Sequence, residues 1–307
     1  MSRFSVKRWI PAAAPGAQAT GMLCLIVTSV GWGLNWPAMK MLLTEWPPLF
    51  ARGTAGVTAA IVIGLAARLA GQSLHVPAGQ AARLATSAFV NVFAWMGFST
   101  LALRWLKAGQ AALLVYTMPV WVILLAWLIL GKRPALKGML GLVLCFIGLT
   151  LLFSGQEMAI RTDQIPGLLF ALAAAMLFAL GNVLLKPPVL PPLASVTWQL
   201  LIGCLPMVAF GWFAEHPDLS ALSSRGWMLM AYMTAVPMGL CYVTWFAALR
   251  RLAPETASLS TLLTPVVGVL AAAIALDEPF GGKELVAIVI ALAGVWLSLR
   301  GKRTIEP

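Results

Sequence analysis

Long apolar stretches, separated by short polar or charged segments, run along nearly the whole chain. About 20 apolar residues in helical conformation cross the hydrocarbon core of a bilayer. Divided at its charges and turn residues, the chain predicts ten such helices. They cover residues 17–39, 47–67, 84–103, 108–130, 136–154, 165–186, 191–213, 227–249, 256–276 and 281–299. The pattern therefore predicts an all-α integral membrane protein with ten transmembrane helices.

The composition excludes a soluble domain. Of the 307 residues, 61% are hydrophobic and only 10% are charged, whereas about a quarter of a soluble domain is charged. Four cysteines lie singly within apolar runs, which indicates packing residues and neither disulfides nor metal ligands. A signal-peptide cleavage site would follow the first apolar run, but the small-residue segment "PAAAPGA" precedes that run. We therefore expect the first helix to be retained.

The positive charges indicate the orientation of the helices. With the N-terminus in the cytoplasm, the inner segments hold 14 of the 21 lysines and arginines. The positive-inside rule therefore predicts a cell inner-membrane protein with both termini cytoplasmic. The net charge of +11 is mostly explained by this distribution. Because no basic run is long enough to follow a phosphate backbone, we expect no nucleic-acid partner.

An internal repeat appears when the chain is aligned with itself at an offset of 146 residues. The segment "ALRWLKAGQAALLVYTMP" (102–119) then matches "ALRRLAPETASLSTLLTP" (248–265). The offset predicts two five-helix repeats, at residues 1–158 and 159–307. Since five is odd, the second repeat enters the membrane from the opposite side. Inverted repeats are typical of transporters with a binding site at the repeat interface, although a duplication kept only for packing remains the alternative.

Several short motifs resemble a known family. These are "GWGLNWPAMK" in the first helix, "PPLFARGT" at the second, the proline-centred fourth and ninth helices, and the "GKRP" and "DEP" turns that follow them. The chain resembles the EamA family of the drug/metabolite transporter superfamily, and within it the YddG-type amino-acid exporters. The first and sixth helices match each other poorly apart from their lysines. The resemblance implies export of small amphipathic metabolites through a cavity between the two halves.

Polar and helix-breaking residues inside the predicted helices indicate where such a cavity would lie. Pro119 and Pro265 are equivalent in the two repeats, and each removes a backbone donor, so we expect two broken helices with a gating role. Plain packing kinks are the alternative. The candidate cavity residues are Asn35, Trp36, Asn91, Trp95, Ser99, Tyr116, Thr117, Tyr242, Trp245, Ser258 and Thr261. For Asn35 and Asn91, a hydrogen bond between helices is the alternative to lining the path.

Two basic residues are candidates for holding a substrate carboxylate. Lys40 ends the first helix, where it either attracts a carboxylate or extends to the membrane surface. Arg52 lies inside the second helix, where it either pairs with Glu45 or binds substrate. The fifth and tenth helices carry matching small faces around Gly148 and Gly294, for which close helix packing is sufficient explanation.

The sequence favours a transporter over other membrane functions. No acidic residue lies deep within a predicted helix, which favours facilitated export over proton coupling. No nucleophilic, metal or nucleotide motif indicates an enzyme, and no cofactor is expected. Amino acids with apolar or aromatic side chains are the predicted substrates, and efflux of drugs or other metabolites, with or without proton coupling, is the alternative. An intramembrane enzyme and a non-transporting receptor are the rival classes, and monomer or homodimer is left open.

Overall fold

The computed structural model describes residues 15–131, 133, 135–152, 154, 161–252 and 260–300. The regular secondary structure of this part of the chain is all helical, and it contains no strand. Among the predicted site residues, Ser258 lies outside the described residues, and Thr261 is described only as a position in a helix.

The first half of the chain contains helices α1 to α7, several of which join into longer rods. They are α1 (Pro15–Leu42), α2 (Pro48–Leu69), α3 (Ala81–Ala88), α4 (Phe98–Ala102), α5 (Ala108–Val115), α6 (Met118–Leu130) and α7 (Leu136–Leu152). A 3₁₀ turn, Ala78–Gln80, precedes α3, and a π-helix, Phe89–Gly97, joins α3 to α4. The result is one continuous rod from Ala78 to Ala102.

The second half of the described chain repeats this arrangement. It contains α8 (Ile165–Leu184), α9 (Pro192–Phe210), α10 (Ser224–Ala235), α11 (Cys241–Leu249), α12 (Ser260–Leu276) and α13 (Gly282–Arg300). A π-helix, Gly211–Glu215, extends α9, and another, Val236–Leu240, joins α10 to α11. Helical segments therefore occupy all ten windows predicted from hydropathy.

Seven helical rods among the described residues are long and apolar enough to cross a membrane. They are Gln18–Leu42, Pro48–Leu69, Ala78–Ala102, Ala108–Leu130, Thr162–Leu184, Pro192–Glu215 and Ser224–Leu249. Shorter apolar helices lie at Leu136–Leu151 and Leu262–Leu276. Proline occupies the first or second position of α2, α8 and α9, at Pro48, Pro166 and Pro192, since its fixed φ and missing donor suit the first helical turn.

The two prolines predicted to break helices differ in the structure. Helix α5 ends at Val115 and α6 begins at Met118, so Pro119 lies in the first turn of a new helix. Pro265, in contrast, lies inside the continuous helix α12. A single proline removes one backbone hydrogen bond, and a slight bend can relieve its ring contact, so it does not always end a helix. Within the described residues around these two prolines, the structure therefore has one break where the sequence predicted two.

Equivalent helices of the two halves pack against each other. Helix α2 packs along α9, and α7 packs along α13. Helix α1 packs against α12, and its equivalent α8 packs against α6, the equivalent of part of α12. In these described pairs the two halves exchange partners, which is the contact pattern expected of two repeats related by a two-fold axis.

Two glycines show how closely these contacts repeat. A Cβ atom on Gly148 of α7 would lie 2.5 Å from the backbone nitrogen of Ala291 in α13. A Cβ atom on Gly294 of α13 would lie 2.5 Å from the backbone nitrogen of Cys145 in α7. These four residues exchange places at the offset of 146, so the helices touch backbone to backbone through their small faces.

Candidate functional site

A cavity of about 380 Å³ lies at the centre of the bundle, between the two halves of the chain. Side chains from both halves line it, and most of them are aromatic, amide-bearing or methionine. The lining residues are Trp32, Asn35, Trp36, Arg52, Asn91, Val92, Trp95, Met96, Ser99, Tyr116, Met118, Phe178, Asn182, Val196, Gln199, Leu200, Pro237, Met238, Tyr242, Trp245, Phe246 and Thr264.

Most of the residues proposed from the sequence lie on this wall. They are Asn35, Trp36, Arg52, Asn91, Trp95, Ser99, Tyr116, Tyr242 and Trp245. Lys40, Thr117, Pro119 and Pro265 are not among the lining residues. Thr117 is buried instead, where its hydroxyl donates to the carbonyl of Leu114 at 2.6 Å and accepts from Trp121 Nε1 at 3.1 Å.

An amide pair joins the two halves across the cavity wall. Asn91 Nδ2 donates to Gln199 Oε1 at 3.1 Å, and Gln199 Nε2 donates to Ser195 Oγ at 2.9 Å. Asn91 lies in the π-helix of the first half, whereas Gln199 lies in α9. Asn91 thus both lines the cavity and bonds to another helix, so the two alternatives weighed for it from the sequence are compatible.

The aromatic residues form two groups in the wall. In the first, the Trp32 ring lies 5.8 Å from Tyr242 and 5.7 Å from Trp245, between ring centroids. In the second, the Trp95 ring lies 4.7 Å from Phe178 and 6.1 Å from Tyr116. Such surfaces bury apolar groups and attract cations over their faces.

π-helical turns occur at equivalent places in the two halves. An offset of 146 residues places the π-helix Val236–Leu240 on positions inside the π-helix Phe89–Gly97. Asn91 and Val92 from one, and Pro237 and Met238 from the other, face the cavity. π-helical turns are uncommon and are frequently found at functional sites, because they redirect side chains and free backbone groups.

A carbonyl of the second of these π-helices accepts a hydrogen bond from a tryptophan. Trp32 Nε1 donates to the carbonyl of Pro237 at 3.0 Å, which ties α1 to the π-helix of the second half. We expect Trp32→Phe, which keeps an aromatic ring and loses this bond, to lower the free energy of unfolding by about 1 kcal/mol. Thermal unfolding in detergent measures the change. Trp212→Phe is the control, since that ring is half exposed, and an equal loss there would contradict the assigned role.

Lys40 makes a contact that the sequence did not suggest. Its Nζ donates to the carbonyl of Leu103 and, at 2.8 Å, to the carbonyl of Leu106. Both carbonyls lie just after the C-terminal end of α4, where unpaired carbonyl groups favour a cation. Lys40 therefore joins the end of α1 to the end of α4, a role beside the two weighed from the sequence, attracting a carboxylate and extending to the membrane surface.

Three carboxylates, here named the carboxylate caps, join neighbouring elements at this same end of the bundle. Glu278 accepts from the backbone nitrogens of Ala108, at 2.5 Å, and Gly109, at 2.9 Å, which begin α5. The other two caps are Glu215, which accepts from Leu49 and Phe50 at the start of α2, and Glu45, which accepts from Ser223 before α10. Negative charge at a helix N-terminus is stabilising, so these contacts hold this end together.

The cavity is closed at the end that holds the carboxylate caps and reaches toward the other. Arg52 and Ser99 are buried, and they lie near the start of α2 and in α4, at the capped end. Asn182 is exposed and lies near the end of α8, and Trp245 lies near the end of α11. The cavity therefore opens toward the end of the bundle at which α1 begins.

Helices α8 and α9 supply cavity residues that the sequence reasoning missed. Phe178 and Asn182 come from α8, and Gln199 comes from α9. The available signal was the presence of an amide side chain inside an apolar stretch, as in "GNVLL" and "TWQLL". Polar groups within membrane helices usually face the protein interior or a cavity.

Comparison with known proteins agrees with this architecture. The EamA-like transporter family matches the chain twice, over residues 19–154 and 165–300, which are 146 residues apart. A Salmonella typhimurium protein named probable amino-acid metabolite efflux pump is 28% identical over 305 residues, covering 92% of this chain and 95% of the relative. An Escherichia coli protein of the same name is 26% identical over 297 residues, covering 92% and 95%.

A solved crystal structure shares the fold. It has a TM-score of 0.61 and 16% sequence identity, and the match covers 95% of this chain and 99% of the other. The paired family matches span both halves of the chain and coincide with the helices that enclose the cavity. The chain belongs to the EamA-like transporter family and is a multi-pass membrane transporter of the drug/metabolite type.

Proposed function

We propose that this protein exports small amphipathic amino acids, with apolar or aromatic side chains favoured, by alternating access through the central cavity. The observation that carries the proposal is a cavity lined by both repeats, with buried residues at the capped end and the exposed Asn182 toward the other end. Such a cavity is what an alternating-access carrier needs when it faces one side of the membrane. The names of the two bacterial relatives point to the same class of solute.

The proposed topology has ten transmembrane helices in two inverted repeats, at residues 1–158 and 159–307. The distribution of lysine and arginine supports cytoplasmic termini in the cell inner membrane. In this orientation the cavity opens to the cytoplasm, and the carboxylate caps lie on the outer side. An exporter in this state would receive its substrate from inside the cell.

The wall chemistry supports an amphipathic substrate. Tryptophan, tyrosine and phenylalanine rings cover much of the cavity, while Asn91, Gln199 and Arg52 supply a small number of polar contacts. Sites of this kind take apolar groups and orient them through a few polar atoms. Met96, Met118 and Met238 make the wall adaptable, which supports efflux of other metabolites or drugs as the second candidate function.

The energy source that we propose is the substrate gradient itself. Among the described residues that line the cavity, none is aspartate or glutamate. Proton-coupled transporters usually relay protons through such groups within the membrane. Facilitated transport requires only that the empty and the loaded carrier both change between a state closed on the outer side and a state closed on the inner side.

Competition for uptake into proteoliposomes of the purified protein tests the substrate class. Labelled L-phenylalanine is the tracer, and the competitors are unlabelled apolar and aromatic amino acids and, in parallel, the organic cation tetraphenylphosphonium. The proposal predicts saturable uptake that the amino acids inhibit and the cation does not. Inhibition by the cation alone would favour the drug-efflux alternative, and an absence of phenylalanine uptake would contradict amino-acid export.

The carboxylate caps give the proposed outer closure a specific test. Glu278→Gln keeps an oxygen acceptor and removes the charge, so the hold on α5 should weaken by about 1 kcal/mol. A cysteine introduced at Ser99, on the closed side of the cavity, should then react about fivefold faster with an impermeant thiol reagent added from outside.

Glu284→Gln is the matched control for this measurement. Glu284 accepts from the backbone nitrogen of Gly281 at 2.9 Å, within its own segment, and joins no separate helices. The labelling rate with Glu284→Gln should equal that of the parent. Equal labelling of Ser99→Cys in both variants would show that Glu278 does not hold the outer side closed.

A further inference from the structure

One cation at the closed end of the cavity has no anion beside it. Arg52 is only 6% exposed, although a guanidinium is always charged at physiological pH. Its Nη1 donates to Asn35 Oδ1 at 2.8 Å, while its Nε is buried without a hydrogen-bond partner. Burying a charge in a membrane protein is unfavourable unless another group compensates it.

The surroundings of Arg52 do not provide that compensation. Among the described residues, the ionisable groups that interact electrostatically with it are Cys204, Tyr116 and Tyr242, which are neutral at neutral pH. Glu45, the pairing partner considered from the sequence, bonds to Ser223 instead. The ion pair found in the described part of the chain is Arg161 with Asp163, at the surface.

The Arg52 side chain lies on the cavity wall. Arg52 and Asn35 both line it, and Tyr116 and Tyr242 place their rings on the same wall. An anion that entered the cavity would therefore meet a partly unsatisfied guanidinium in surroundings of low dielectric. A carboxylate fits this need, because two of its oxygens can accept from one guanidinium.

We propose that Arg52, oriented by Asn35, binds the carboxylate of the substrate, and that the substrate class is small apolar carboxylates whose ammonium group is dispensable. The described lining residues contain no carboxylate that could pair with an ammonium group. A monoanion neutralises Arg52, whereas a zwitterionic amino acid leaves one positive charge, which meets only aromatic rings and neutral polar side chains among the described lining residues. The inference rests on the proposed function, since it assigns a chemistry to the same cavity.

Binding of four probes to the purified full-length protein in neutral detergent tests this assignment. The probes are 3-phenylpropanoate, L-phenylalanine, L-phenylalaninamide and 2-phenylethylamine, which share a ring and differ in their charged groups. Tryptophan fluorescence gives the dissociation constants. We expect 3-phenylpropanoate to bind at least as tightly as L-phenylalanine, and the amide and the amine to bind at least about 30-fold more weakly.

Two substitutions separate binding from structural support. Arg52→Gln should weaken binding of both carboxylates at least about 30-fold, whereas Arg68→Gln, at an exposed position on the same helix, should leave it unchanged. Asn35→Asp places a resident carboxylate against the guanidinium. We expect it to raise the unfolding temperature, abolish the preference for carboxylates and improve binding of the amine.

Asn35→Ala is the comparison for Asn35→Asp, because it removes the hydrogen bond that Arg52 donates and adds no charge. It should retain the preference for acids over the amide. If Arg52→Gln fails to fold, the ranking of the four probes on the wild-type protein, together with Asn35→Asp, still decides the question. A purely structural Arg52 would leave the ranking of the probes unchanged in Asn35→Asp.

The outcomes distinguish this inference from the proposed function. Saturable phenylalanine flux together with equal binding of acid, amide and amine would overturn the carboxylate site and leave amino-acid export standing. Binding of L-phenylalanine without binding of 3-phenylpropanoate would overturn the claim that the ammonium group is dispensable. Arg52-dependent binding of both acids without phenylalanine flux would instead overturn amino-acid export and retain the carboxylate site.

Discussion

Replacing Gly148 by leucine is expected to prevent stable assembly of the protein. Even a single Cβ atom at this position would lie 2.5 Å from the backbone of α13, so the two helices must separate to accept a larger side chain. Backbone shifts of this kind cost about 1–3 kcal/mol in general, and we expect at least about 3 kcal/mol here. The midpoint of thermal unfolding in detergent, together with the yield of monodisperse protein, measures the effect.

The repeat provides a second variant and a control for this prediction. Gly294→Leu should be as harmful as Gly148→Leu, because Gly294 makes the equivalent contact with Cys145. Gly282→Leu is the control, since a Cβ atom at Gly282, at the start of the same helix α13, meets no atom within 4 Å. Loss from Gly148→Leu with a tolerated Gly294→Leu would contradict the two-fold arrangement of α7 and α13.

The second large effect is expected at the amide pair between Asn91 and Gln199. Asn91→Leu leaves the Gln199 amide without its partner, and we expect a loss of about 1 kcal/mol in the free energy of unfolding. If the pair also orients substrate, flux should fall at least about tenfold, which corresponds to about 1.4 kcal/mol of lost interaction. Initial rates of phenylalanine uptake and unfolding temperatures are measured on the same preparations.

The double variant separates the two contributions. In Asn91→Leu/Gln199→Leu, two apolar side chains replace both partners, so stability should return close to that of the parent. The flux should remain low, because the cavity has lost both amides. Restored flux together with restored stability would show that the pair serves only to join the two helices.

The helices could be predicted closely from the sequence, because in a membrane their length and composition are set by the bilayer. The tenth window, 281–299, coincides with α13 (Gly282–Arg300), although it contains Lys283 and Glu284. The offset of 146 residues, found from one matched segment, also relates the contacts of Gly148 to those of Gly294. In both cases local sequence carries the information.

The candidate site was less predictable where it depends on contacts between distant residues. Spacing placed Asn91 and Trp95 on one face of a helix, and both line the cavity. A single amide such as Gln199 gives no periodic pattern, so its place on the wall follows only from the packing of α9. The partners of Lys40 lie 63 and 66 residues further along the chain, which no local rule connects to it.

Arg52 shows the same limit in another form. Its position inside a predicted helix identified it as unusual, and two partners were considered, Glu45 and substrate. The structure pairs it with Asn35, 17 residues earlier, and bonds Glu45 to Ser223, 178 residues later. Whether Arg52 forms an internal ion pair or remains without an anionic partner therefore depends on tertiary contacts.

Counterflow in proteoliposomes of the purified protein tests the central claim most directly. Vesicles loaded with unlabelled L-phenylalanine are diluted into a trace of labelled L-phenylalanine, with no gradient of protons or other ions. A facilitated carrier that alternates access to one cavity predicts a transient accumulation of label above its external concentration. Label that never exceeds equilibrium, in vesicles that take up phenylalanine once a proton gradient is imposed, would contradict the facilitated mechanism proposed for this cavity.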